Sequence, residues 1–469
     1  MVKKIHFVGI KGVGMAPLAI IAKEAGFRVS GSDVDEEFIT DISLVKAGIK
    51  AMIGFEESHV ENCDLLITTG AHGGFDNVEV KKARQKEIPV WTQGEAVGKY
   101  MNEGFLGKKF EGISVAGSHG KTTTTAMIAT ILKENKLDPT FLIGTGEVPS
   151  LGSCGHFGKG KYFVAEADEY STEPQYDKTP KLMWQKPKIA VITNIEFDHP
   201  DLYPSINEMT KAFLNFTKNI EEDGSLIICA DDSESLKLLK SYRGKVVTYG
   251  FSKDADFYIE RVSMEQDKMF FWVSAGNTSL GEFYTQVTGE YNCLNALSAI
   301  IACLELGLSI ESIKKGLAAF RGTKRRFEFI GNLSSGAFLF DDYAHHPTEI
   351  KKTLAAFKKT YPNKKIVTIF QPHTYSRTKS LFEQFVGSFS NSDCVILTDI
   401  FSSSREQADN SVSSKLLADE ISKIHKDVVY MPKLPDVVEY VSKKSFGKEF
   451  IIITMGAGDV YKIAKKLIK

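Results

Sequence analysis

Almost no net charge is left on this chain of 469 residues: 58 Lys and Arg stand against 59 Asp and Glu, a balance of −1. Bulk electrostatics therefore draws it neither to nucleic acid nor to an anionic membrane, and any anion it binds must be held by local geometry. Cysteine is scarce as well. Cys63, Cys154, Cys229, Cys293, Cys303 and Cys394 form no C-x-x-C pair, and several lie in apolar runs. The expectation is free thiols acting as small buried hydrophobes in a reducing compartment. No apolar stretch reaches the ~18 residues of a membrane-spanning helix. Lys3-Lys4 before an apolar run imitates a signal peptide, but Gly9, Lys11, Gly12 and Gly14 interrupt it and no clear small-x-small cleavage site follows. We read this run as the first strand of a soluble, cytoplasmic protein. Strong internal repeats, low-complexity tracts and any obvious Ser-His-Asp or Cys-His arrangement are also missing. What remains, 43% hydrophobic and 25% charged residues, is ordinary globular composition and excludes disordered, collagen-like and coiled-coil classes.

The length is too great for one core and suggests about three domains. Short β-rich apolar runs alternate with helical stretches, which points to an α/β fold with parallel sheets. A first, Rossmann-like block, 1–107, carries strands at Ile5–Val8, Phe27–Ser30, Asp64–Thr68 and Pro89–Trp91. A central block of P-loop ATPase type, 108–323, carries strands at Ile113–Ala116, Tyr162–Ala165, Ile189–Thr193 and Leu226–Cys229 and ends with a helix near Asn292–Leu306. A third, Rossmann-like block, 324–469, carries strands at Phe338–Phe340, Ile366–Phe370, Val395–Thr398 and Phe450–Thr454.

The most informative segment is Gly117-Ser118-His119-Gly120-Lys121-Thr122-Thr123. A strand delivers the chain to a glycine turn and a helix starts at once. The first N–H groups of that helix lack intrahelical partners and present the positive end of its dipole. Gly117 and Gly120 let the backbone close around a phosphate. Lys121 adds a charge aimed at the β- and γ-phosphates, and the Thr122 hydroxyl can ligate Mg²⁺. The strict G-x-x-x-x-G-K-[ST] pattern fails because position 115 is Val, so the loop is a shortened variant. Two acidic segments end neighbouring apolar runs, Glu166-Ala167-Asp168-Glu169 and Glu196-Phe197-Asp198-His199. Ligands of open α/β sheets sit at the carboxyl ends of parallel strands, so both segments can face the loop. Their carboxylates suit Mg²⁺, and His199 is a ligand or orients one.

Gly9-x-x-Gly12-x-Gly14 departs from the dinucleotide fingerprint, because Lys11 occupies the central glycine position. Its place between a strand and a helix still suits a diphosphate, and Asp33, about 20 residues on, can read a ribose hydroxyl. An NAD site and a packing turn without ligand stay open for this loop.

Taken in order, these motifs resemble the Mur ligase family over nearly the whole chain. The anchors are His6–Met15, Gly117–Thr124, Glu166–Glu169, Thr193–His199, Asn292–Ala296, Lys324–Phe327, Asp341–Glu349, Phe370–His373 and Thr454–Asp459. Each is weak alone; their joint order and spacing are specific. The resemblance implies an ATP- and Mg²⁺-dependent acid–amino-acid ligase of peptidoglycan precursor synthesis, nearest to the members that join L-alanine to UDP-N-acetylmuramate. It implies a monomer or weak homo-oligomer with no nucleic-acid or membrane partner. Lys121 would bind ATP phosphates, with Gly117, Gly120 and Thr123 around them, and Thr122 would ligate Mg²⁺. Glu166 and His199 would hold a second Mg²⁺. Asn295 would contact adenine, while Arg326 and Asp342 would reach the nucleotide from the domain boundary and the third domain. The first domain would hold the UDP part of the substrate, through Gly12, Gly14, Ser32, Asp33 and Thr69. His345 and His346 would belong to the amino-acid end of the site.

Such chemistry activates a carboxylate as an acyl phosphate, which an amine then attacks. It needs positioning and charge neutralisation rather than a side-chain nucleophile. On this reading Lys121→Ala abolishes turnover and leaves the fold intact, since it removes a charge from a loop and no core volume. Five features depart from the family pattern: Lys11 for a usual Gly, Thr68–His72 for Ser-Ser-Ala, Gln93 near a usual Arg, Tyr170–Pro174 for Ser-Asp, and Tyr291 for His. Glu-Ala-Asp-Glu-Tyr also occurs in the related murein-tripeptide ligase of cell-wall recycling, which is the alternative within the family. A non-catalytic nucleotide-binding module and a dinucleotide-dependent oxidoreductase are the alternatives outside it.

Overall fold

A computed structural model describes residues 2–266, 268–402 and 406–468. Its strands fall into three main sheets, each flanked by helices, in sequence order along the chain. The first sheet is parallel and runs, from edge to edge, Met52–Ile53, Arg28–Asp33, Lys4–Val8, Leu65–Thr68 and Val90–Thr92. Its central strand is buried on both faces, which is why Ile5, Phe7 and Val8 read as one apolar run. The helix Ala16–Glu24 follows the glycine turn, and Ala16 to Ala22 are all buried.

Ten strands make the central sheet. In its parallel part, Glu111–Ala116 lies between Ile189–Ile192 and Tyr162–Glu166. Three longer strands, Phe257–Glu265, Lys268–Ala275 and Thr278–Thr285, extend it as an antiparallel arm. That arm and a separate hairpin, Ser171–Glu173 with Asp177–Pro180, lie outside the parallel pattern expected from the sequence, and the three-residue strand Thr140–Leu142, parallel to Tyr162–Glu166, adds to it. The helix Lys121–Glu134 is buried from Thr123 to Leu132. Its partners are the helices Glu290–Glu305 and Ile310–Ala318, so it is apolar nearly all round rather than on one stripe. The third sheet runs Glu328–Asn332, Phe338–Asp342, Phe450–Met455, Lys365–Phe370, Cys394–Leu397 and Val428–Tyr430, with only the first strand antiparallel.

All six cysteines are free and buried. Among the described residues no helix is long and apolar enough to cross a membrane.

Candidate active site

Strand order sets the location. The loop after Glu111–Ala116 emerges between the ends of its two neighbours, so Glu166 and Thr193-Asn194 flank it on either side. Gly117 and Gly120 take φ of +126° and +85°, left-handed values that favour glycine, and a side chain at Gly120 would run into Asn295. Asn194 braces the loop: its Oδ1 accepts from His119 N at 3.0 Å, and its Nδ2 donates to the His119 carbonyl at 3.0 Å. Thr193 Oγ1 donates to the same carbonyl at 2.5 Å.

Lys121 folds back over this loop. Its Nζ donates to the Gly117 carbonyl at 2.5 Å and to both oxygens of Glu169 at 3.0 and 2.9 Å. Burial disfavours the ammonium, yet Glu169, Asp168 and Glu166 together raise its pKa. Thr122 Oγ1 donates to Glu166 Oε2 at 3.0 Å, and Gly144 N–H donates to Glu166 Oε1 at 2.5 Å. Burial pushes the Glu166 carboxyl up against these donors. His199 has φ +54° and its Nε2 lies 3.7 Å from Glu169 Oε1 and 3.8 Å from Asp198 Oδ2. Thr122 and Glu166 are thus in contact, Lys121 and His199 share Glu169, and these four groups surround the start of one helix.

A cavity of about 210 Å³ opens beside the loop. His119, Gly120, Thr122, Thr123, Asn295 and Glu196 line it from the central unit, and Arg326, Asp342 and Glu349 line it from the other side. Of the Lys324-Arg325-Arg326 run, Arg325 is consumed within the third unit by Asp341 at 2.8 Å and by the Gly456 carbonyl at 2.6 Å. Arg326 instead reaches Glu349 at 3.2 Å on the cavity wall. Asp342 accepts from Phe327 N at 2.7 Å and Ala344 N at 2.8 Å, and burial pushes its carboxyl up to about 6. Arg325 and Phe327, on either side of Arg326, hold φ of +62° and +50°, and Thr374 holds +71°. Each such non-glycine residue costs about 1–3 kcal/mol, and such residues cluster at functional sites.

His346 caps the helix Pro347–Thr360: its Nδ1 accepts from Thr348 N, and Glu349 closes the capping box. His345 Nδ1 lies 3.0 Å from the Tyr343 carbonyl, and burial pushes its pKa down to about 3, so the ring is neutral. Several groups here escaped the sequence reading. His119 lies 3.2 Å from Glu196 and 3.3 Å from Glu349, and these two carboxylates outweigh burial to raise its pKa to about 9. Asp198 pairs with Arg377 across the junction at 2.7 Å, each side chain only 4% exposed. His119, Glu196 and Asp198 stood in the segments singled out from the sequence and Glu349 at the third helical position after a cap, but their partners were not readable there, and Arg377 carried no signal.

The first-unit candidates lie apart from the cavity. Gly12 N–H donates to the Gly9 carbonyl at 3.1 Å, and Gly14 abuts Gln93. Asp33 accepts from Lys11 N at 2.7 Å and Val34 N at 2.8 Å, with His72 Nε2 at 3.5 Å. Thr69 packs a methyl against Gly9 and accepts from Ala71 N at 3.3 Å. The Ser32 hydroxyl points inward and donates to the buried Glu79 at 2.5 Å, a carboxylate that also meets His6 and His59. Lys11 ties the turn to the next loop through the Val34 and Glu36 carbonyls, at 3.1 and 2.8 Å.

Comparison with known proteins matches the chain to three family descriptions in succession: Mur ligase family, catalytic domain, over 4–104; Mur ligase middle domain over 115–303; and Mur ligase, glutamate ligase domain, over 325–458. A UDP-N-acetylmuramate–L-alanine ligase of Acetivibrio thermocellus is 41% identical over 471 aligned positions, which cover 100% of this chain and 96% of that one. The crystal structure of a UDP-N-acetylmuramate-alanine ligase from Thermotoga maritima superposes with a TM-score of 0.81 at 28% identity, covering 99% and 98% of the two chains. A murein peptide ligase from Psychrobacter arcticus superposes at 0.71 with 25% identity and the same coverage.

Proposed function

Because the chain belongs to the Mur ligase family, we propose that it joins L-alanine to the carboxylate of UDP-N-acetylmuramate with ATP, in the cytoplasm, as a step of peptidoglycan precursor synthesis. The observation that carries the nucleotide side of this reading is the single cavity shared by the phosphate loop and by Arg326, Asp342 and Glu349 of the third unit. The carboxylate oxygen attacks the γ-phosphorus, ADP leaves, the amine attacks the acyl carbon, and phosphate leaves from the tetrahedral intermediate. Phosphoryl transfer of this kind is governed by positioning and charge neutralisation.

Lys121 supplies charge neutralisation. In the resting state Glu169 is its counter-ion, and a bound phosphate takes that place. Thr122 would hold one Mg²⁺ and Glu166 with His199 a second, whose charges would offset that of the transferring phosphoryl group; the hydroxyl and carboxylate oxygens of Thr122 and Glu166 suit a hard cation. Asn295 borders the cavity beside Gly120 and suits the base, and Arg326 and Asp342 close it from the third unit. His345, with its Nδ1–H directed at the Tyr343 carbonyl, keeps an unprotonated Nε2 for the amine end of the site. The glycine turn with Asp33 and Thr69 holds the UDP moiety. Closure of the third unit over the central one keeps water from the acyl phosphate.

The test is release of ADP by purified protein, with UDP-N-acetylmuramate and a panel of amino acids and short peptides, scored by product mass. Product with L-alanine supports the proposal. Product only with a peptide supports murein-tripeptide ligation, which the Glu166–Tyr170 segment and the Psychrobacter likeness favour as a second reading. Nucleotide binding without any amide product refutes both.

A further inference from the structure

We propose that His119, Glu196 and His346 form a binding site for a late first-row divalent ion such as Zn²⁺, separate from the Thr122–Glu166–His199 group and spanning the junction of the central and third units. Each residue offers one ligand atom, and the three atoms lie within 4.8 Å of one another. His119 Nε2 is 3.2 Å from Glu196 Oε2, and His346 Nδ1 is 3.6 Å from the same oxygen. Tetrahedral ligands at ordinary zinc bond lengths stand about 3.3 Å apart, so two of the three separations already match.

The outer contacts carry the inference further. A metal-bound imidazole almost always directs its other ring nitrogen at a carboxylate or carbonyl, which fixes the tautomer. Both histidines do this. The His346 Nε2 lies 3.2 Å from the Phe197 carbonyl, which leaves Nδ1 unprotonated; its one lone pair accepts the Thr348 N–H in the metal-free chain, and an ion would take the place of that N–H, as it would of the proton between His119 Nε2 and Glu196. His119 turns its remaining nitrogen, Nδ1, to Glu349 at 3.3 Å. Glu196 is itself held: its N–H donates to Ser118 Oγ at 2.9 Å, and Ser118 Oγ donates back to the Glu196 carbonyl at 2.9 Å. Two imidazoles and one carboxylate select Zn²⁺, Co²⁺ or Ni²⁺ over Mg²⁺. Three protein ligands leave a fourth position open, and His119 and Glu196 both face the nucleotide cavity. An ion here would tie the phosphate loop to the first turn of the helix Pro347–Thr360. None of this depends on which substrate the enzyme ligates.

The experiment is a titration of the metal-free, full-length protein with Co²⁺, followed by visible absorption. The expected result is a d–d band of a low-coordinate site, saturating at one ion per chain. Zn²⁺ should displace it, and a roughly hundredfold excess of Mg²⁺ should leave it intact. His119→Ala, His346→Ala and the near-isosteric Glu196→Gln should each weaken Co²⁺ binding by about tenfold or more. His156→Ala serves as control, because that half-buried histidine also sits between two carboxylates, Glu24 and Asp138. Absence of the band, its survival in folded Glu196→Gln, or its loss in His156→Ala overturns the proposal.

Discussion

Replacing Lys121 by methionine keeps the stem and deletes one charge, and the structure fixes what that charge does at rest. The ammonium pairs with Glu169 at 2.9 Å, with the lysine side chain 15% exposed and the glutamate 1%. Asp168 and Glu166 are among the groups that raise its pKa. At a separation of 3 Å and an effective dielectric of about 20, the direct attraction is about 5.5 kcal/mol. Removing one partner of a buried pair costs about 3–5 kcal/mol, because the other charge is left behind. The lysine's partial exposure places the cost near the lower end, about 3 kcal/mol. For a unit of this size, 1 kcal/mol moves the melting temperature by about 2–4 °C, so the transition of the central unit should fall by about 6–12 °C. Lys121→Met should also reduce ADP release by at least about 10²–10³-fold. The double variant Lys121→Met/Glu169→Gln separates the two effects: melting should return to within about 3 °C of the wild type, while turnover stays lost. Calorimetry and a coupled ADP assay read both. The reasoning is wrong if Lys121→Met melts like the wild type, or if neutralising Glu169 fails to recover the loss. The loop charge is therefore expected to matter for stability, which the sequence alone did not suggest.

Arg377→Ala strands the Asp198 carboxylate and should weaken docking of the third unit by about 3–5 kcal/mol, seen as a larger radius of gyration in small-angle scattering. Arg377→Lys should recover only part, since an ammonium lacks the guanidinium fork; unchanged scattering for both would refute the role. Thr122→Val should raise the Mg²⁺ concentration for half-maximal ADP release by about tenfold, with the melting temperature little changed. Asp342 gives a pH prediction. Its carboxyl has an ordinary value of 3.8 and is pushed up to about 6 in the fold by burial, against Arg326 and two backbone N–H groups. The folded chain thus binds more protons than the unfolded chain between about 4 and 6, and stability falls as pH rises through that window, by roughly 3 kcal/mol in all. Asp342→Asn should abolish that slope in urea midpoints; an unchanged slope would disprove the assignment.

The parallel strands were legible because they are buried on both faces. Ile189–Ile192 and Ser225–Cys229 carry uninterrupted apolar runs that end at turn signals, so they stand out in any window. The antiparallel arm did not stand out. Phe257–Glu265 buries only Ile259 and mixes Glu260, Arg261 and Ser263 among its apolar residues, so its half-exposed face dilutes the signal. Thr140–Leu142 is too short to show a period at all. Within the site, Gly117–Thr123 was readable because its parts lie on one strand–turn–helix, where spacing alone fixes geometry. Glu169 was visible only as one acid among three, and its pairing with Lys121 depends on the register of two strands, which no local pattern encodes.

A second set of charges that no local pattern assembles meets where the central and third units touch. A net charge of −1 says nothing about them, yet His119, Glu196 and Asp198 on one side face Glu349, His346 and Arg377 on the other. An apolar seam of that extent would behave as a continuous core and hold the units together. Charged pairs pay for much of their attraction in lost hydration, so their net hold is small even when their geometry is good. Groups of this kind can also exchange partners with a phosphate or a cation, as Lys121 can exchange Glu169. The junction is therefore built to be remade around an ion or a nucleotide, and that follows from the residue types at the contact.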